Sequence, residues 1–272
     1  MTSDTSGADA RYRAWMRANL DKAATHFGLT ITSESIMGWH DRSIGAAASS
    51  GGHDFWLRVV AESKEWIGGD FWTGNADANG LATISKPRVV HVYEWEEWRQ
   101  LRAEVMTLVE GRPCSSTDVL REEIDLPDAW WSELRRTIDV LSTTPTLRVN
   151  AGHDKVARRV NAAGGLVMPD SYDQQTVHGD LHWANLLTPF ALLDWEFWGR
   201  GPIGTDAATL LSYSLLAPTT AAKVHETFAD ILDTPTGRFA QVYVAGRVLQ
   251  RIEGGDHPDL EGPLRAHLHS VR

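Results

Sequence analysis

The sequence predicts an α+β fold of two lobes, a small lobe built on an antiparallel sheet and a larger, mainly helical lobe. Short alternating segments separated by turns dominate up to about residue 110, and helical periodicity dominates beyond it. The turn residues Gly111 and Pro113 mark the change. Because 272 residues can bury two cores, we predict a first lobe over residues 1–110 and a second over residues 111–272.

The first lobe opens with a helical pattern. Apolar positions at Tyr12, Trp15 and Leu20 predict a helix that closes at Gly28. Two short extended runs, the turn SSGGHD and the segment FWLRVV predict a three-stranded meander. RVVHVYEWEEW and QLRAEVMTLVEG predict two further strands. The stretch KEWIGGDFWTGNADANGLATI is interrupted by glycines, so it stays open between helix and loop.

The second lobe reads as helices around one extended, polar stretch. A helix is predicted from Pro127 behind an Asp cap, another over GHDKVARRVNAAG, and three later ones from near Thr205, Thr219 and Thr236. Between them, QTVHGD and FALLDW have the character of short strands on either side of a turn-rich loop. We expect that loop to carry the chemistry.

Composition excludes several classes of function. The formal net charge of −10 disfavours nucleic acid as a partner and favours a cationic one, although simple solubility explains it equally well. No apolar run reaches the roughly 18 residues of a membrane span. Cys114 is the single cysteine, and the N-terminal residues lack the apolar core of a signal peptide. We therefore expect a cytoplasmic protein without a membrane anchor.

Three polar residues in VHGDLHWANLLTPFALLDWE have the spacing of a kinase catalytic loop. Asn185 and Asp194 offer the hard oxygen ligands that Mg²⁺ prefers, and Mg²⁺ accompanies nucleotide phosphates in phosphoryl transfer. Asp180 is the candidate carboxylate that orients a hydroxyl nucleophile and accepts its proton. The pattern thus predicts phosphoryl transfer to an alcohol.

These residues make the chain similar to the aminoglycoside phosphotransferase and choline kinase family, whose hallmark is an HGD loop, an Asn five residues on and then a metal-binding Asp. The resemblance implies a bilobal protein-kinase-like fold, Mg²⁺, and ATP or GTP as the phosphate donor. It makes Asp180 catalytic, and Asn185 and Asp194 metal ligands. It also implies that His178 and Asp206 support the loop, the latter from the start of the helix after the Gly-Pro turn.

The resemblance is weaker in the first lobe. EVMTLVEGRP is similar to the hinge strand that contacts the adenine, which places Leu108, Val109 and Glu110 at the base. Arg58 stands where kinases have a phosphate-binding lysine, and no glutamate partner for it is evident. Ser43, in the glycine-poor turn MGWHDRSIG, is a candidate phosphate contact.

The sequence leaves two classes of acceptor open, small-molecule alcohols and Ser or Thr residues of peptides. Members of the family phosphorylate antibiotics and other small alcohols, and related kinases in peptide-antibiotic pathways phosphorylate Ser or Thr before a partner lyase eliminates the phosphate. Two other functions compete with phosphoryl transfer. Arg58 and its missing glutamate partner motivate a pseudokinase-like binding module, and the sequence GDLH superficially resembles a metallophosphoesterase motif in which Trp183 replaces the required glycine.

Overall fold

The computed structural model describes residues 3–164 and 168–271. A sheet-rich part of the chain is followed by a helix-rich part, and the strands of the large sheet pair antiparallel. The α+β prediction is therefore confirmed. No helix in the described ranges combines the length and the apolar character that a membrane span requires.

The chain divides into two compact units. Unit 1 comprises Met1–Asn79 and Pro87–Glu110, and unit 2 comprises Gly80–Lys86 and Gly111–Arg272. The segment Gly80–Lys86 thus departs from the predicted first-lobe range of 1–110. It packs within unit 2 because the Ser85 carbonyl accepts a hydrogen bond from the Leu192 amide at 3.0 Å. The Lys86 ammonium also lies 5.7 Å from the Trp195 ring centroid.

Unit 1 is a sheet covered by one long helix. Its sheet order is β1-β3-β4-β6-β5, and β2 pairs with β3. The elements are α1 (Ser3–Phe27), β1 (Thr30–Ile31), β2 (Ile36–Met37), β3 (Ser43–Ser50), β4 (His53–Glu62), α2 (Gly74–Asp77), β5 (Val89–Glu96) and β6 (Gln100–Thr107). The predicted meander thus contains four strands, and α1 begins earlier than its apolar pattern. The glycine-rich stretch forms only short helical turns, in accord with the low helix propensity of glycine.

The two faces of this sheet differ in chemistry, because successive side chains of a strand point to opposite faces. On one face Leu57, Val59 and Ala103 join residues of α1 in the buried core. On the other face Arg58 pairs in register with Gly45 on β3 and with Glu104 on β6. The alternation therefore sends the candidate phosphate-binding side chain away from the core.

Unit 2 consists of helices around two small sheets. The sheets are β7-β9-β10 and β8-β11, both antiparallel. The elements are β7 (Arg112–Pro113), α3 (Asp128–Thr143), α4 (His153–Ala163), β8 (Gln174–Val177), β9 (Leu186–Thr188), β10 (Ala191–Leu192), β11 (Gly199–Pro202), α5 (Thr205–Ser214), α6 (Pro218–Leu232), α7 (Pro235–Glu253) and α8 (Glu261–Val271).

Two details of unit 2 differ from the sequence prediction. Helix α3 starts at Asp128 with Pro127 in the N-cap position, and no side chain caps it, so the predicted Asp cap is wrong. Helix α8 follows the three predicted late helices. Inside the unit, α7 packs against α4, α5, α6 and α8, and every residue of α5 is buried. Helix α5, whose first turn follows the polar loop and strand β11, is thus part of the buried core of unit 2.

Candidate active site

The loop between β8 and β9 is fixed by one buried carboxylate. Asp206, in the first turn of α5, accepts hydrogen bonds from the backbone amides of His178 and Gly179, both at 2.8 Å. Burial raises the pKa of Asp206 to about 6, although the two amide donors act in the opposite direction. Asp206 thus bonds directly to the loop, and the supporting role that the resemblance implies for it stays a prediction.

Glycine is required at position 179. Its φ is +83°, and a Cβ there would lie 2.0 Å from Nδ2 of Asn150 and 2.9 Å from the carbonyl oxygen of Phe197. The Asn150 amide nitrogen donates to that same Phe197 carbonyl at 2.8 Å. The HGD turn can thus approach the segment after Asp194 closely, and this approach would be lost with any side chain at position 179.

His178 supports the loop in a neutral form. Burial lowers the pKa of His178 to about 4. The neutral ring donates from Nε2 to the Leu193 carbonyl at 3.0 Å, and its Nδ1 lies 3.4 Å from the Asp180 amide. It also stands edge-on to the Trp195 ring, with centroids 4.8 Å apart. These contacts connect the loop to the segment around Asp194, and the supporting role of His178 stays a prediction.

Asp180 carries its carboxylate at the edge of the loop, where a quarter of the side chain is exposed. Oδ2 lies 3.4 Å from Nε2 of His182, and Oδ1 lies 3.9 Å from Nη1 of Arg247. Burial alone would raise the pKa of Asp180, but these two charges outweigh it, and the pKa lies well below its usual range. Asp180 is therefore ionised and can accept hydrogen bonds from an incoming hydroxyl.

The His182 ring lies close to two carboxylates. Its Nε2 lies 3.4 Å from Asp180 and 3.5 Å from Asp118. Burial would lower the pKa of His182, but Asp180 first and Asp118 next outweigh burial and raise it above its ordinary value. Asp118 is in turn bound by Arg251, whose Nη2 lies 2.6 Å from its Oδ2. Arg251, Asp118 and His182 thus form a series of alternating charges that ends at the Asp180 carboxylate and holds it in place.

Arg247 on α7 reaches the same loop from another direction. Its Nη1 donates to the Gly179 carbonyl at 2.6 Å, and its Nη2 donates to Oγ1 of Thr209 at 2.9 Å. Neither Arg247 nor His182 is identified by spacing in the sequence. His182 is titratable and two positions from Asp180, which is a weak signal. Arg247 is 68 positions beyond Gly179, so no local pattern connects the two.

The β9-β10 hairpin brings the two candidate metal ligands to neighbouring positions. Leu186 pairs with Leu192, and one step further the Leu193 amide donates to the Asn185 carbonyl at 2.8 Å. Asp194 follows directly and has φ of +58°, a conformation that Asp adopts more readily than most residues. The hairpin register therefore explains why Asn185 and Asp194, nine positions apart, meet at one end of the loop.

The chemistry of this pair fits Mg²⁺. The Asn185 amide nitrogen donates to the Asp180 carbonyl at 3.0 Å, so this hydrogen bond does not use the amide oxygen. A carboxylate is supplied by Asp194. Mg²⁺ is usually held by one or two such protein oxygens, and substrate phosphates and water complete its octahedron. Asn185 and Asp194 are thus a suitable donor set for a metal that arrives with a nucleotide.

In unit 1, a buried carboxylate lies next to Arg58. Nη1 of Arg58 is 3.7 Å from Oε2 of Glu104, a residue that is 1% exposed. Asn75 donates to the same oxygen at 2.9 Å, and Arg102 donates to Oε1 at 2.9 Å. In the sequence no partner is evident, because Glu62 and Glu65 lie too close to Arg58 along the chain. The strand register shows that Glu104 is the glutamate opposite Arg58. The pairing depends on which strands are neighbours, and the sequence does not define this.

The other candidate nucleotide contacts lie in two places. Ser43 begins β3 beside Gly38, where a Cβ would lie 2.2 Å from the Ser43 hydroxyl. Leu108, Val109 and Glu110 follow β6 and are wholly or partly exposed. Their backbone is thus outside the regular ladder of the sheet. Nucleotide contacts at all four positions remain a prediction.

Comparison with known proteins identifies the class. Residues 122–240, which contain the whole loop and Asp206, match the model described as the phosphotransferase enzyme family, APH. No curated protein sequence matches the chain. The fold is similar to that of several solved kinases, although sequence identity is low.

One similar structure is a thermostable mutant of aminoglycoside phosphotransferase APH(4)-Ia in ternary complex with AMP-PNP and hygromycin B. The TM-score is 0.63 at 15% identity, over 92% of this chain and 97% of that chain. A second is amicoumacin kinase hAmiN with AMP-PNP, Ca²⁺ and Ami, with a TM-score of 0.54 at 13% identity over 97% and 94%. A third is spectinomycin phosphotransferase APH(9)-Ia with ADP and spectinomycin, with a TM-score of 0.50 at 12% identity over 94% and 92%.

Fold and family match together define a kinase-like phosphotransferase, and the resemblance drawn from the HGD motif is confirmed. Residues 122–240 are thus similar to the APH phosphotransferase family. At these identities the solved structures establish the fold alone, so the roles of individual residues and the identity of the acceptor are proposals.

Proposed function

We propose that the protein is a Mg²⁺-dependent O-phosphotransferase that moves the γ-phosphoryl group of ATP or GTP to a hydroxyl group. The observation that carries this proposal is the fixed carboxylate of Asp180. It is ionised and partly exposed, and it lies on a loop that Asp206, His182 and Arg247 hold in place through direct contacts. Phosphoryl transfer depends mainly on positioning and on charge stabilisation, and such a carboxylate serves the first need.

In the proposed reaction the acceptor oxygen forms a bond to the γ-phosphorus as the bond to the bridging oxygen of the nucleotide breaks. The hydroxyl proton passes to Asp180, and the nucleoside diphosphate leaves. Because its pKa is low, Asp180 acts first by orienting the hydroxyl and receives the proton once the oxygen has gained positive character. The products are a phosphate monoester and a nucleoside diphosphate.

Asn185 and Asp194 would hold Mg²⁺, which neutralises charge on the phosphate oxygens when it is bound. On unit 1, Arg58 would bind donor phosphate through its guanidinium group, and Ser43 would add a hydroxyl contact. Leu108, Val109 and Glu110 would present backbone groups to the base. Glu104 supports this assignment because it holds the Arg58 side chain on the polar face of the sheet.

The acceptor is an antibiotic-like small molecule or a Ser/Thr residue of a biosynthetic peptide, which would require a partner lyase. The similar structures contain hygromycin B, spectinomycin and Ami, which supports the small-molecule version. The alternatives lose support. Glu104 supplies the carboxylate whose absence motivated the pseudokinase, and the family match is to phosphotransferases rather than metallophosphoesterases.

Calorimetric titration of ATP and GTP tests the donor site. Wild type and Asp194→Asn are compared with and without Mg²⁺, and Asp170→Asn, an exposed residue of the same unit, is the matched control. We expect metal-dependent binding in wild type and in the control, and a loss of at least about tenfold in Asp194→Asn. If neither nucleotide binds to wild type with Mg²⁺, the phosphotransferase proposal is wrong.

A further inference from the structure

A cluster of basic side chains lies beside Asp180 in unit 2. Lys155 and Arg159 are one turn apart on α4, and Arg247 projects from α7. Nη1 of Arg159 donates to the hydroxyl of Tyr243 at 2.6 Å, and Tyr243 lies one turn before Arg247. Nη1 of Arg247 is 3.9 Å from Asp180. The cluster therefore extends from the catalytic carboxylate along the contact between two helices.

The close approach of these helices depends on Gly246. A Cβ at this position would lie 1.8 Å from the carbonyl oxygen of Arg159. Only glycine lets α7 pack directly on the α4 backbone at this point. The residue after Gly246 is Arg247, so the same contact that brings the helices together also brings the basic side chains together.

The positive charges in this cluster exceed the carboxylates around them. Across residues 3–164 and 168–271, no Asp or Glu forms an ion pair with Lys155 or Arg159. Burial lowers the pKa of Lys155 to about 8, and repulsion from Arg159, Arg247 and Arg158 adds to the effect. Burial also lowers the pKa of Arg159, and Arg247 again adds to it. Half-buried cations without counter-ions of their own are costly unless a ligand supplies one.

Hydrogen-bond donors are also available in this cluster. Arg247 Nε is buried and has no hydrogen-bond partner within the described parts of the chain. Lys155 has one weak contact, to the Asn150 carbonyl at 3.4 Å. Arg159 makes its hydrogen bond to Tyr243 and lies over the ring of the same residue, with its guanidinium carbon 5.3 Å from the centroid. A guanidinium has five N–H donors in a fork that matches an oxyanion.

We propose that Lys155, Arg159 and Arg247 bind an oxyanion carried by the acceptor, so that the substrate of this phosphotransferase is an anionic alcohol. The inference rests on the proposed function, because it takes Asp180 as the group that orients the hydroxyl. A carboxylate or a phosphate held by the cluster would set a neighbouring hydroxyl close to Asp180. The local charge thus argues against the cationic partner that the net charge of −10 favours.

The test is calorimetric titration of two probes, inorganic phosphate and citrate, into protein that is saturated with AMP-PNP and Mg²⁺. We expect one anion to bind per wild-type chain and at least about tenfold weaker binding in both Lys155→Met and Arg159→Met. Arg158→Met is the matched control, because Arg158 is the exposed neighbour of Arg159. It should stay within about twofold of wild type. Tighter binding of phosphate or of citrate identifies which anion the acceptor carries.

Two outcomes overturn the inference. One is the absence of binding of both anions to wild type, and the other is equal affinity in wild type, Lys155→Met and Arg159→Met. The titration is repeated on nucleotide-free protein. Anion binding is therefore tested even if AMP-PNP does not bind at the donor site. Failure of AMP-PNP to bind in a parallel titration would instead contradict the phosphotransferase proposal. Circular dichroism of each variant shows that the fold is retained.

Discussion

The carboxylate of Asp206 accepts the backbone amide of Gly179 at 2.8 Å and is 1% exposed. A second amide, from His178, uses its other oxygen. Asp206→Asn keeps one acceptor oxygen and turns an NH₂ group towards an N–H donor. We expect a loss of about 2 to 3 kcal/mol in the free energy of unfolding, because a buried, charge-assisted hydrogen bond is replaced by a clash of donors.

Urea denaturation measures this change. Asp259→Asn is the control, since Asp259 forms an exposed ion pair with Arg121 and should change stability by less than about 1 kcal/mol. If Asp206→Asn unfolds at the wild-type urea concentration, Asp206 does not hold the loop.

Gly246→Ala tests the close contact between α4 and α7. The new methyl would lie 1.8 Å from the Arg159 carbonyl, which is backbone and cannot move aside cheaply. We expect a loss of at least about 1 to 3 kcal/mol. Gly262→Ala in α8 is the matched control, because nothing lies within 4 Å of the added Cβ. It should raise stability by about 0.5 to 1 kcal/mol through helix propensity. Equal behaviour of the two variants in thermal unfolding would contradict the packing described here.

The lowered pKa of Lys155 predicts that the free energy of unfolding depends on pH. Its pKa in the folded protein is about 8, below its ordinary value of 10.5, because burial and the charges of Arg159, Arg247 and Arg158 disfavour the charged form. The destabilising effect is present below pH 8 and is lost as the pH rises from about 8 towards 10.5.

Lys155→Met should therefore be more stable than wild type at pH 7 in a buffer without added anions, and this advantage should shrink at pH 9.5. Urea denaturation at both pH values measures the difference. The exposed Lys223→Met is the control and should change stability by less than about 0.5 kcal/mol at either pH. A constant advantage at both pH values would show that the Lys155 charge is not the cause.

Substitution of Arg58 should weaken binding of the phosphate donor. Arg58→Met removes the guanidinium that we assign to nucleotide phosphate and should weaken AMP-PNP binding by about tenfold or more. Arg99→Met is the control, since Arg99 lies near Glu62 and stacks on the exposed Trp98 in the same unit. Equilibrium titration measures both. Unchanged affinity in Arg58→Met would remove Arg58 from the donor site.

The sequence predicted those features that depend on local order. Asp180, Asn185 and Asp194 lie within fifteen residues of chain. The Asn185 amide bonds to the Asp180 carbonyl, and the β9-β10 hairpin places Asp194 close to Asn185. The class of fold was predictable for a similar reason, because the period of apolar residues changes near Gly111.

Contacts between distant elements were not predictable. Glu104 meets Arg58 because β4 and β6 are neighbours in the sheet although β5 lies between them in sequence. Arg247 meets Gly179 because α7 packs against α5, the helix whose first turn bonds to the loop. The basic cluster depends on a single glycine whose role shows only when the two helices are packed. Periodicity and spacing carry no information about such pairings.

We assign to Asp180 the role of orienting the acceptor hydroxyl. The most direct test is transfer of labelled phosphate from [γ-³²P]ATP with Mg²⁺ to a panel of anionic, neutral and cationic alcohols and Ser/Thr peptides, by wild type and Asp180→Asn. We predict that wild type labels an acceptor and that Asp180→Asn is slower by roughly 10²- to 10⁴-fold with AMP-PNP affinity unchanged. Transfer by Asp180→Asn at the wild-type rate would show that Asp180 does not have this role.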